Sequence, residues 1–118
     1  MFKGQTKFQP QGISTRWKIH YYEQGEYFKK HKDSGHKDVD KGLTSFMTVL
    51  VYLTDDEDGL EGGDTVFYGK GSHTSNKMSV KPLKGRCVFF LHQIEHESFP
   101  VLKGTKIILK SSVMLGYG

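Results

Sequence analysis

The chain has 118 residues, 36% of them hydrophobic, and a formal net charge of +4. That size and apolar content suit one globular domain with one modest core and exclude a two-domain or disordered chain. No run approaches the roughly 20 apolar residues of a membrane span, and MFKGQTKF lacks the apolar centre of a secretory signal, so a soluble, cytoplasmic protein with no membrane partner is expected.

In chain order, residues 1 to 15 are polar and glycine-containing and read as a loosely held arm, followed by one domain over residues 16 to 118. Aromatic and β-branched residues then recur in short runs broken by glycine, aspartate, serine or proline. Eight strands are predicted: 16 to 22 (RWKIHYY), 26 to 33, 45 to 54 (SFMTVLVYLT), 64 to 68 (DTVFY), 77 to 82, 85 to 92 (GRCVFFLH), 94 to 101 and 105 to 115 (TKIILKSSVML). Between them, DDEDGLEGG (55 to 63) is an acidic, turn-rich loop and YGKGSHTSNK (68 to 77) a small polar one. No stretch of about ten residues combines helical periodicity with caps, so little helix is expected. The fold class is all-β, a sandwich or jelly roll of the cupin-like kind that can hold a ligand between two sheets.

Cys87 is the single cysteine, which excludes a disulfide framework and a thiolate zinc site; inside CVFFL it reads as buried core. The lysines are spread along the chain without a basic cluster interleaved with aromatics, so a nucleic-acid partner is not expected.

In EYFKKHKDSG, His31 and Asp33 stand two residues apart, and side chains at i and i+2 of an extended chain share a face. Such a pair can grip one metal ion. Two histidines and one carboxylate form the facial triad of non-haem Fe(II) oxygenases, which leaves open positions on the metal. The best candidate for the third ligand is His96, in HESFPVLKGTK. Ten residues beyond it, Lys106 opens the apolar run IILK, where an ammonium needs an anionic partner or a route to solvent. A dicarboxylate cosubstrate supplies such a partner, its other end chelating iron through keto and carboxylate oxygens.

With these residues in place, the chain from about Trp17 to Leu115 resembles the Fe(II)/2-oxoglutarate-dependent dioxygenases of the prolyl 4-hydroxylase type. The resemblance is carried by YYEQGEYFKKHKD, then MTVLVYLTD, then EGGDTVF, and finally GRCVFFLHQIEHESFPVLKGTKIILKSSVM, in that order. It implies a double-stranded β-helix in which His31, Asp33 and His96 bind iron and Lys106 binds the distal carboxylate of 2-oxoglutarate. Tyr22 and Tyr52 match tyrosines that line the cosubstrate pocket of relatives, and Lys110, of the same strand parity as Lys106, is the alternative anchor. Thr65 and the Gly62-Gly63 pair read as structural. The implied reaction is oxidative decarboxylation of 2-oxoglutarate by O2 to succinate and CO2, coupled to hydroxylation of a peptidyl or amino-acid side chain, proline first, with ascorbate as reductant.

The family's helices ahead of the barrel have no counterpart in residues 1 to 15, so a minimal version or a fragment is expected; SGHKDVDKGL is short where relatives carry a substrate-covering loop. Two other readings compete. HQIEH (92 to 96) matches the His-x-x-Glu-His pattern of one zinc-protease class, which requires a helix; between CVFFL and Pro100 there is no room for one. A non-catalytic cupin-like binding module is the second, and it should have lost a ligand or the lysine. His92 reads as solvent-facing or as support behind a ligand, and His20, His36 and His73 as surface residues.

Overall fold

Extended chains present alternate side chains to opposite faces, and a computed structural model, which describes residues 7–69 and 76–117, turns that alternation into two facing sheets. The strands are β1 (Phe8–Ile13), β2 (Lys18–Tyr22), β3 (Phe28–His31), β4 (Lys37–Asp38), β5 (Leu43–Tyr52), β6 (Glu61–Gly62), β7 (Thr65–Tyr68), β8 (Lys77–Val80), β9 (Cys87–Leu91), β10 (His96–Ser98), β11 (Val101–Lys103) and β12 (Lys106–Tyr117). One short 3-10 turn, Asp56–Asp58, sits in the acidic loop, capped by Asp55. The all-β jelly roll expected from the sequence is the fold observed.

The larger sheet is built around β12 and β5, which pair antiparallel along Ile108 to Leu115; β1 and β2 share the far edge of β12, and β4 and β9 the far edge of β5. The smaller sheet runs β3-β10-β7-β8, and β6 pairs with β11 in a two-stranded ribbon. Leu50, Tyr52, Phe90 and Ile108 form the buried core, with Tyr22, Phe67, Val80, Val88 and Ile94 packed against it. Each buried aliphatic or aromatic side chain there contributes roughly 2 kcal/mol by leaving water.

Three expectations change. The run 94 to 101 is two strands, because Phe99 and Pro100 interrupt the pairing: the Phe99 N–H turns to Asp64 O and proline has no N–H to give. Residues 8–13, expected as part of a loose arm, pair with Val113–Tyr117 at the edge of the larger sheet, with all six residues exposed. Cys87 is exposed, not core. On β9 it is Val88 and Phe90 that face inward, so Cys87, Phe89 and Leu91 share the outer face, where Phe89 and Leu91 remain about half exposed. Across the sheet, paired residues Ile19, Leu109, Val51 and Cys87 continue that outer apolar row. The polar loop expected over 68 to 77 lies largely outside the described residues, as does His73.

Candidate metal centre and adjoining cavity

β3 and β10 are neighbours in the smaller sheet, and their pairing sets His31 directly opposite His96. Asp33 follows β3 by two residues, tied down by its N–H donating to the His92 carbonyl at 3.0 Å. One donor atom from each of His31, Asp33 and His96 lies within 4.8 Å of the others. The three residues nominated from sequence thus meet in space.

The hydrogen-bond partners decide which atoms face inward. His31 Nδ1 donates to the Lys29 carbonyl at 2.6 Å, and His96 Nδ1 donates to the Ile94 carbonyl at 2.9 Å. A carbonyl only accepts, so both rings carry their proton on Nδ1 and turn a bare Nε2 toward the third residue. Those Nε2 atoms stand 3.5 and 3.4 Å from Asp33 Oδ1. Three acceptors converging on one point repel one another unless a cation sits among them. The donor set, two imidazoles and a carboxylate, suits a divalent transition metal such as Fe(II). Burial pushes the His31 pKa down, which favours the neutral ligand form. For Asp33 burial acts the other way, yet its carboxyl is held well below the usual carboxylate range, the hydrogen bond from Thr48 and the Lys110 ammonium both favouring its charged form. Phe28 stacks on the His31 ring at 3.9 Å and Phe90 meets the His96 ring edge-on at 4.6 Å, fixing both planes.

Behind Asp33 runs a chain of polar groups, of which the sequence pointed to His92 but not to Thr48 or Ser45. The Thr48 hydroxyl donates to Asp33 Oδ2 and accepts from His92 Nδ1 at 2.9 Å, while His92 Nε2 accepts from the Ser45 hydroxyl at 2.9 Å. His92 is therefore buried support for the carboxylate. No helix forms around it: residues 92 to 95 turn and β10 begins at His96, which removes the protease geometry.

Lys106 enters the same cavity from β12. It is 1% exposed, and its ammonium reaches Ser98 Oγ at 2.7 Å and Thr65 Oγ1 at 3.5 Å, with no carboxylate in salt-bridge range among the described residues. Burial lowers its pKa to about 8. Paired hydroxyls do not neutralise a buried charge. Tyr22 lines the cavity, its ring 5.2 Å from the ammonium. Tyr52 does not: fully buried, it stands behind the wall and donates to Thr65 Oγ1 at 2.7 Å. Thr65, read as structural, is a lining residue that links Tyr52 to Lys106. The glycine pair has the conformational role expected of it: Gly62 and Gly63 both hold φ of +76°, and a Cβ on Gly63 would stand 3.1 Å from Lys106 Cδ.

Two further residues depart from the sequence reading. Lys110, the alternative anchor, ion-pairs with Asp33 Oδ1 at 3.2 Å, so it belongs to the His-Asp-His end of the cavity. His20, read as a surface residue, lines the cavity between Tyr22 and Lys110. Thr48, Ser98 and His20 had one usable signal, their strand parity with Asp33-facing or Lys106-facing residues, and it becomes readable only once register is known.

A family model described as the 2OG-Fe(II) oxygenase superfamily matches residues 17–112. Among solved structures, a Pseudomonas putida prolyl-4-hydroxylase aligns at TM-score 0.63 and 19% identity, covering 82% of this chain and 50% of that one. A viral collagen prolyl hydroxylase of Paramecium bursaria Chlorella virus-1, solved with 2OG, aligns at 0.56 and 25% identity over 85% of this chain and 61% of the other. A Trichoplax adhaerens prolyl hydroxylase, solved with a hypoxia inducible factor oxygen degradation domain peptide fragment, aligns at 0.64 and 20% identity over 90% and 46%. The chain thus spans between 46% and 61% of these three proteins. No curated protein sequence matches it significantly.

Proposed function

The chain belongs to the 2OG-Fe(II) oxygenase superfamily, and on that premise we propose that it is an Fe(II)- and 2-oxoglutarate-dependent hydroxylase acting on a peptidyl side chain, proline first. In this reading His31, Asp33 and His96 hold the iron, and Lys106 holds the distal carboxylate of 2-oxoglutarate. Bound iron supplies the activation of O2 that splits its two atoms between succinate, formed with release of CO2, and the hydroxylated C–H bond.

One observation carries the proposal: a fully buried ammonium, with only hydroxyl partners, on the wall of the cavity whose other end is the His-Asp-His cluster. An isolated buried charge is costly, and a carboxylate arriving there both neutralises it and accepts its hydrogen bonds. Ser98 and Thr65 then fix where the ammonium points, and Tyr22 closes the wall beside it. The Nδ1 bonds to backbone carbonyls keep both histidines in the tautomer a metal needs. A peptide substrate is supported by the peptide found on the Trichoplax adhaerens relative.

The test is succinate formation from 2-oxoglutarate under air with added Fe(II), ascorbate as reductant and a panel of proline-containing peptides, comparing the chain with its His96→Ala variant. Succinate that requires iron and His96 is the expected result. Binding of metal and 2-oxoglutarate without succinate from any peptide would favour a non-catalytic binding module; binding of neither would remove the triad assignment.

A further inference from the structure

Along β2, Lys18, His20 and Tyr22 alternate with Ile19 and Tyr21, so Lys18 and His20 fall on one face of the strand and Ile19 and Tyr21 on the other, with Arg16 two residues ahead of Lys18. The pairing of β2 with β12 sets Lys18 opposite Lys110 and His20 opposite Ile108. A groove opens there, lined by Arg16, Lys18, His20, His36 and Lys110 together with small serine and glycine residues. Every charged side chain lining it is basic. Of these, Lys110 is committed to Asp33, whereas Arg16 and Lys18 form no ion pair among the described residues. His20 and Lys110 line both this groove and the cavity beside the His-Asp-His cluster, so the two adjoin. At that junction His20 Nε2 is buried with no hydrogen-bond partner among the described residues. Buried polar atoms are rarely left so, and this one marks a place for a ligand group.

We propose that this groove is the substrate channel and that it selects an extended peptide bearing Asp or Glu side chains beside the hydroxylated residue. The assignment rests on the hydroxylase reading for its direction, since the groove adjoins the cavity that His31 and His96 line. Arg16 and Lys18, cations with no acid paired to them among the described residues, make a local positive potential that steers and orders carboxylates. Arg16 to His20 covers about 13 Å at roughly 3.3 Å per residue, longer than one small acid and matched to several residues of extended peptide. A nucleic acid fits less well: no Phe, Tyr or Trp side chain lines the groove and Tyr21 lies on the opposite face of β2, so bases following phosphates through it would find no stacking platform.

The test uses the full chain with Mn(II), a redox-silent stand-in for Fe(II), and 2-oxoglutarate. Fluorescence anisotropy compares a labelled peptide with a central proline flanked by glutamates against the same peptide with glutamines, in wild type and in the Arg16→Glu/Lys18→Glu double variant. Both replaced residues are exposed, and a thermal melt checks that the variant folds. Expected is at least about tenfold tighter binding of the glutamate peptide to wild type, the size of two or three modest charge contacts, and loss of that preference in the variant. Equal binding of the two peptides, or a preference that survives the charge reversal, would overturn the proposal. So would displacement of the glutamate peptide by a lower concentration of a single-stranded RNA oligonucleotide. Mn(II)-dependent binding of 2-oxoglutarate to wild type is read separately: its absence overturns the hydroxylase reading, while the peptide comparison, repeated without cosubstrate, still decides the groove.

Discussion

Lys110 Nζ lies 3.2 Å from Asp33 Oδ1, the same oxygen that faces the Nε2 atoms of His31 and His96. The ammonium therefore occupies an oxygen that a metal ion would use and adds a positive charge beside it. Lys110→Met should raise Mn(II) affinity by about three- to tenfold, the effect of removing one partly screened charge a few Å away, and leave 2-oxoglutarate affinity nearly unchanged. Calorimetric titration of both ligands decides it. A variant that lost 2-oxoglutarate and kept its metal would instead make Lys110 the anchor.

Lys106→Met should give the opposite pattern. Replacing the buried ammonium with a thioether of similar length removes an uncompensated charge, so the ligand-free protein should melt no lower than wild type. Affinity for 2-oxoglutarate should fall about a hundredfold, the usual size of a lost buried charge-assisted contact, with metal binding intact.

The same lysine sets a pH dependence. Its pKa of about 8 in the folded chain lies below the ordinary 10.5, so the unfolded chain binds this proton more tightly. The stability of wild type relative to Lys106→Met should accordingly rise as pH increases from about 8 toward 10.5, and be lost as pH falls back through 8. Over that window 2-oxoglutarate binding should weaken, because the ammonium proposed to receive its carboxylate disappears. Chemical denaturation and cosubstrate titration at matched pH values check the two trends, which run in opposite directions.

Thr48→Val keeps the shape of a fully buried side chain while deleting the hydroxyl that joins Asp33 Oδ2 to His92 Nδ1. Two buried partners lose a hydrogen bond, at a cost of about 1 to 3 kcal/mol in stability. Metal affinity should drop by about tenfold or more, as for other groups that hold a ligand in place. Unchanged metal affinity in a destabilised variant would make Thr48 a purely structural residue.

Gly63→Ala tests the wall behind Lys106. The backbone there has a φ of +76°, and the new methyl would meet Lys106 Cδ at 3.1 Å and Val101 Cγ2 at 3.4 Å. A loss of roughly 1 kcal/mol or more in stability is expected from the conformation alone. A fall in 2-oxoglutarate affinity beyond that of a Gly85→Ala control, where φ is +86° and a Cβ meets nothing within 4 Å, would show that the methyl displaces the ammonium.

What could be read from the sequence depended on whether a residue announced its chemistry locally. His31 and Asp33 do so, two apart in an extended run, and Lys106 does so as a charge heading an apolar strand. Their meeting with His96 follows from one pairing, β3 on β10. Thr48, Ser98 and Thr65 are ordinary strand residues until register shows what faces them. Cys87 was misplaced because CVFFL is apolar at every position, so its inner and outer faces look alike without a partner strand. The basic groove was illegible for another reason: Arg16 and Lys18, His36, and Lys110 come from three distant stretches, and no window of the chain contains their cluster. His20 hid as one polar residue among aromatics, and only the unpartnered Nε2 distinguishes it.

Cys87 ends the outer row of Ile19, Leu109 and Val51, on the side of the sheet away from the cavity, and it is the chain's single thiol. A maleimide fluorophore attached there becomes a one-site reporter that needs no engineered cysteine and no removal of native ones. Its emission would register whatever comes to rest on the apolar exterior, while the cavity and the His-Asp-His cluster, on the far side of the sheet, are left undisturbed.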